Sequence, residues 1–206
     1  MKRLFLFTGL ILIFISCILA SSWDGTANPN YTKLPSPTGQ PGEIGRVSIP
    51  SARINYYEIT GATENELRQQ LDVLGPIDDQ GQRNDASTKW FVSWNWPGYG
   101  TGTCSLKDAT TRLDVQVIFP HWVHQSQAPS ELINKWIKYT QVLALHEKGH
   151  VDNILANYKT VLIAIKAANC ATAESAAQAA LIPIRRNDIN YDTATRHGAT
   201  QGATFP

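Results

Sequence analysis

Apolar and polar positions alternate in two different periods along this chain, and the periods mark out its elements. Arg53-Ile-Asn-Tyr-Tyr-Glu-Ile-Thr60 is dense in aromatic and β-branched residues between Pro50 and Gly61, which predicts a strand. Thr63-Glu-Asn-Glu66 then has the form of a capping box, and Leu67, Leu71 and Leu74 recur at helical spacing until Gly75-Pro76 stops the helix. After a polar, loop-like stretch over 77–88, strict alternation places Trp90, Val92, Trp94 and Trp96 on one side of a second strand. Leu113, Val115, Val117 and Phe119 repeat that alternation before Pro120, so the two runs are predicted to pair across the Gly98–Gly102 turn region. The tryptophan side reads as a sheet face packed by helices rather than as a sugar platform.

Beyond Pro129 the period becomes helical. Ser130 is a candidate cap, and Leu132, Ile133, Trp136, Ile137, Val142, Leu143 and Leu145 lead into His146 and on to Ile165 without a proline, as one long helix or two joined by a kink. An alanine-rich helix is expected from about Thr172. A last helix is expected with Pro183 in its first turn, running through Tyr191 to about His197 with Gly198 as its stop. Strands first and helices later predict an α+β domain with a small, mostly antiparallel sheet packed against helices.

The N-terminal residues read differently. Lys2 and Arg3 precede an apolar run from Leu4 to Ile15, followed by Cys17 and the small residues Ala20, Ser21 and Ser22. This is the order of a secretory signal peptide over 1–22, too short to span a bilayer, which takes about 20 apolar residues, and it predicts export to the periplasm or beyond. A lipidated Cys17 is the minor alternative, since Phe14 stands where such sites carry leucine. Residues 23–45, with Pro29, Pro35, Pro37, Pro41 and four glycines, read as a flexible tether, leaving 46–206 as the folded domain.

Charge narrows the function. The chain carries 18 Lys+Arg against 17 Asp+Glu, and 16 against 17 without Lys2 and Arg3. No basic excess exists to displace counterions from a nucleic acid, and no acidic excess to keep the chain unfolded. Cys104 and Cys170, the two cysteines beyond the leader, predict one disulfide in an exported protein.

Candidate chemistry lies in His146-Glu147-Lys148-Gly149-His150, an H-E-x-x-H sequence inside a predicted helix. Residues four apart differ by roughly 40° around a helix and about 6 Å along it, so both imidazoles leave one face and reach one metal ion. Glu147 stands beside them as a general base for a water on that metal. A chance match in a chain of this composition has a probability of about 0.4%.

A catalytic zinc needs a third protein ligand. Asn153 and Ala156 stand where the metzincin continuation needs glycine and histidine, and Asp152 is turned roughly 200° away from His150. Glu174, 24 residues beyond His150, is one candidate, although Gln178 stands where an acidic residue would usually follow it. The others lie in Tyr191-Asp-Thr-Ala-Thr-Arg-His197-Gly198. On a continuous helix Asp192 and His197 point about 140° apart, so one of them faces the zinc, and His197 is the expected ligand. Asp192 then orients a ligand imidazole, and Tyr191 is either an oxyanion donor or a core residue. His121 and His124 read as sheet-end or surface residues.

Trp94-x-Trp96, Cys104 leading into the Leu113–Pro120 run, His146-Glu-x-Gly-His150-x-Asp152 and Tyr191-Asp-x-x-Thr-x-His-Gly198 resemble a bacterial family of formally unknown function described as predicted secreted zinc-dependent proteases. The resemblance covers roughly residues 46–203 and implies a zincin-like fold without a substrate. The reading is a secreted peptidase in which His146, His150 and His197 hold Zn²⁺, Glu147 is the base and a protein or peptide is the substrate. Its alternatives are a non-catalytic zinc-containing envelope protein and, third, a sugar- or peptidoglycan-binding module using Trp90, Trp94 and Trp96.

Overall fold

A computed structural model of the chain describes residues 46–78, 81–99, 101 and 103–206. The signal peptide, the Cys17 alternative and the 23–45 tether lie outside the described residues.

Strand β1 (Arg53–Ile59) leads into helix α1 (Glu64–Leu74), whose start is the expected capping box: Thr63 Oγ1 accepts from the Glu66 amide at 3.3 Å and Glu66 returns a carboxylate to the Thr63 amide at 3.2 Å. Leu67 and Leu71 are fully buried. Strands β2 (Ser87–Asn95) and β3 (Thr110–Trp122) form the expected antiparallel pair, with Trp90 opposite Val115 and Val92 opposite Leu113.

The sheet order is β1-β3-β2, and β1 runs parallel to β3. The sheet is therefore mixed, one antiparallel pair and one parallel, rather than mostly antiparallel. The connection through α1 carries the chain past the central position, which β3 then fills after reversing against β2. Strand β3 continues through Pro120 because β2 pairs only as far as Ile118, so a residue without an N–H is tolerated on the one-sided stretch beyond.

Three helices complete the domain: α2 (Ser130–Asn157), α3 (Lys159–Ala167) and α4 (Ala173–Thr195). The predicted long helix is thus two, divided at Tyr158. Ser130 is the first helical residue and makes no cap bond; Pro129 precedes it as the N-cap. The alanine-rich and final segments are one helix, with Pro183 in its interior. Pro183 and Ala179, whose carbonyl loses its usual intrahelical donor, are both exposed.

Helix α4 reaches the tryptophan side of β2. Trp90 Nε1 donates to Asp188 at 2.8 Å, Trp94 Nε1 donates to Glu174 at 2.8 Å, and Trp96 is buried. These rings pack the helices onto the sheet, as read from their alternation. A second aromatic group, Trp122, Trp136, Tyr139 and Phe205, ties the N-terminal half of α2 to the C-terminal residues. The Cys104–Cys170 disulfide is formed, bonding the segment before β3 to the α3–α4 turn. Among the described residues no helix is long and apolar enough to cross a membrane.

Candidate metal centre

The buried stripe of α2 runs Leu132, Trp136, Tyr139, Leu143, then His146, Glu147 and His150, then Val151 and Ile154. The motif thus lies on the core-facing side of the helix, where helical spacing puts polar groups only if partners meet them. Those partners come mainly from α4, on which Asp188 and Asp192 stand one turn apart and face α2 together.

Asp192 Oδ1 lies 3.0 Å from His150 Nε2 and 3.2 Å from His146 Nε2. His150 Nδ1 meets Asp188 Oδ1 at 3.2 Å, and His146 Nδ1 meets Gln201 Oε1 at 3.0 Å. Asp188 is itself held by Asn153 Nδ2 at 2.8 Å as well as by Trp90. Both rings therefore spend Nδ1 on a fixed acceptor and turn Nε2 to the same carboxylate oxygen, which is how metal-ligating histidines are oriented.

The ligand atoms of His146, His150 and Asp192 all lie within 4.8 Å of one another. In a tetrahedron with bonds of about 2.0–2.1 Å the ligand atoms stand about 3.3 Å apart, close to the two separations from Asp192. Two imidazoles and a carboxylate form a donor set that suits Zn²⁺.

Burial and charge act against each other here. Burial disfavours a charged His150 imidazole, yet its hydrogen bonds to Asp188 and Asp192 and the Glu147 charge outweigh this and raise it to about 10. For Asp192 burial pushes upward, and the hydrogen bonds to His146 and His150 with the nearby imidazole charges win, holding the carboxyl well below the usual range. Glu147 is buried, which raises its pKa, opposed chiefly by Thr88 Oγ1 donating to Oε2 at 2.7 Å.

The third member of the group is Asp192; His197 lies outside it. The reason is where α4 ends. The helix stops at Thr195, and Arg196 and His197 take left-handed conformations with φ of 50° and 52°, so the helical angle between Asp192 and His197 does not apply. The turn brings His197 Nδ1 to 3.8 Å from Asp192 Oδ1, with the imidazole 57% exposed. Glu174 is occupied far along the helix by Trp94 and Tyr99, roughly 27 Å of rise from Asp192. Asp152 is exposed and pairs with Lys148. His121 packs edge-on to Tyr56, and His124 is exposed.

Tyr191 lies beside the cluster. Its ring stacks on His146, with centroids 5.1 Å apart, meets His150 edge-on at 5.0 Å, and its hydroxyl accepts from Gln201 Nε2 at 3.1 Å. Gly149 makes room for it: a Cβ there would stand 2.3 Å from the Tyr191 hydroxyl. Thr88, Asp188 and Gln201 are the contributors that motif reading missed. Of these only Asp188 carried a local signal, its i,i+4 relation to Asp192.

No curated protein and no solved structure matches this chain. A family model matches residues 54–198, a span that runs from β1 through the whole metal cluster to Gly198. The chain belongs to that family, bacterial proteins of unknown function designated DUF922.

Proposed function

We propose that this protein is a zinc-dependent hydrolase of peptide bonds that works in an oxidising compartment outside the cytoplasm. The observation that carries the reading is the presentation of two α2 Nε2 atoms to one Asp192 oxygen, with Glu147 buried next to them in the chain. His146, His150 and Asp192 hold the ion, in place of the His197 set expected from the motif. A zinc ion there supplies Lewis acidity, polarising a carbonyl and making a water acidic enough to attack it near neutral pH.

Glu147 takes the proton of the attacking water and passes it to the leaving amine. Its burial favours this, because a carboxyl raised toward the working pH both accepts and returns a proton. Thr88 keeps the carboxylate aimed, and Gln201 and Asp188 fix the two imidazoles. The Cys104–Cys170 bond supports an extracytoplasmic site of action.

A second reading, a non-catalytic zinc protein, is favoured by one feature: the side chains of His146 and His150 are only 4% and 10% exposed. Hydrolysis separates the two. Zinc-loaded protein should release new amines from unfolded β-casein, and Glu147→Gln should retain the zinc and lose that activity. Metal-loaded protein with no hydrolysis at all would favour the second reading.

A further inference from the structure

We propose that His197 is a catalytic residue that donates a hydrogen bond to the substrate carbonyl oxygen, beside the metal ligands without being one of them; this rests on the hydrolase reading above. Exposure rises steadily across the cluster, from 4% for the His146 side chain through 10% for His150 and 29% for Asp192 to 57% for His197. Solvent therefore reaches the centre from the His197 side. A substrate arriving from there meets this imidazole next to the metal-holding carboxylate.

The ring is presented by a turn built at some cost. Two successive non-glycine residues in the left-handed region, Arg196 and His197, are uncommon, because a Cβ crowds the following carbonyl oxygen there. The surroundings hold them there: the His197 amide donates to the Asp192 carbonyl at 3.0 Å, the Gly198 amide donates to Thr195 Oγ1 at 3.3 Å, and the Ala203 amide donates to the Gly198 carbonyl at 3.1 Å. Gly198 lies directly on the His146 ring, since a Cβ there would stand 3.0 Å from His146 Cγ. The same turn that keeps His197 out of the helix thus presses against a ligand.

Tyr191, the other candidate for this role, accepts from Gln201 and packs on the His146 and His150 rings, whereas His197 stands on the exposed side of the cluster. In the reaction the water oxygen bonds to the carbonyl carbon and the C–N bond breaks. One water proton travels through Glu147 to the amine, and the other stays with the new carboxyl group. His197 transfers no proton; it stabilises the charge that gathers on the carbonyl oxygen.

The test uses His197→Gly, because glycine tolerates the left-handed backbone and so keeps the turn while removing the donor, with His197→Ala beside it. Three readouts are compared with the wild-type chain: zinc per chain, the visible spectrum of the cobalt(II)-substituted protein, and the affinity of that protein for acetohydroxamate. Zinc content and spectrum should be unchanged, while acetohydroxamate binds at least about ten-fold more weakly and β-casein turnover falls on the order of 10²-fold in kcat with little change in KM. Lost zinc or an altered spectrum would overturn the proposal by making His197 a fourth ligand. Unchanged hydroxamate affinity would overturn it by making His197 a bystander. A wild-type protein that holds zinc and binds acetohydroxamate yet releases no amines overturns the hydrolase reading instead.

Discussion

The phenol ring of Tyr191 lies parallel to the imidazole of His146, with their planes 12° apart. That stack exists because α2 carries glycine, not a larger residue, at the contact with α4. Gly149→Ala should drive the Tyr191 hydroxyl from its place and loosen the pairing of α2 with α4, although alanine is the better helix former by about 1 kcal/mol. The expected result is a lower melting temperature together with weaker zinc binding. Stabilisation with unchanged zinc affinity would show that the two helices do not need this close approach.

Thr88 reaches across from β2 to the buried Glu147 carboxylate. Thr88→Val keeps the shape and removes the donor, so a buried acceptor loses its partner at a cost of roughly 1–3 kcal/mol. Urea unfolding should show that loss, and turnover should fall in kcat more than in KM. A neutral variant would mean that Glu147 is oriented by something else.

Reducing the Cys104–Cys170 bond opens a loop of 66 residues, which on the chain-entropy model removes about 4 kcal/mol of stability. Neither cysteine belongs to the metal group, so folded reduced protein should still bind zinc. Mass mapping of non-reduced peptides from exported protein should recover the pair. Two free thiols in that sample would contradict the bond.

Alkaline pH should destabilise the protein through Tyr57 and Tyr139. Burial comes first in raising both above the usual tyrosine value of 10, and the Asp85 charge, with the Tyr139 hydroxyl donating to that carboxylate, adds to it. The folded chain then holds these protons more tightly than the unfolded chain. Their contribution is fully present below pH 10 and is lost above it, by about 1.4 kcal/mol per pH unit per tyrosine. Denaturation curves between pH 9 and 11.5 should show a steeper decline for the wild-type chain than for Tyr57→Phe or Tyr139→Phe. Equal slopes would contradict the assignment.

Local rules served where the determinants were local. The capping box at Thr63, the alternation of Trp90 to Trp96, and the one-face geometry of His146 and His150 each follow from a handful of neighbouring residues. Strand order did not, because β1 pairs with β3 only after the chain has passed through α1 and β2. The end of α4 was misread for a different reason: left-handed backbone is usually signalled by glycine, and here Arg196 and His197 adopt it before Gly198 is reached. With that shift of two residues, it is Asp192 that groups with His146 and His150, while the His197 Nδ1 lies 3.8 Å from Asp192 Oδ1. Thr88 and Gln201 carried no local signal, since only tertiary packing brings them to Glu147 and His146.

Whether His146, His150 and Asp192 together hold a metal ion is decided by the zinc stoichiometry of Asp192→Ala against the wild-type chain. About one zinc per wild-type chain and close to none in Asp192→Ala is expected, with His146→Ala and His150→Ala behaving likewise. A folded Asp192→Ala protein that keeps its full zinc, or a wild-type chain that binds none, would contradict it.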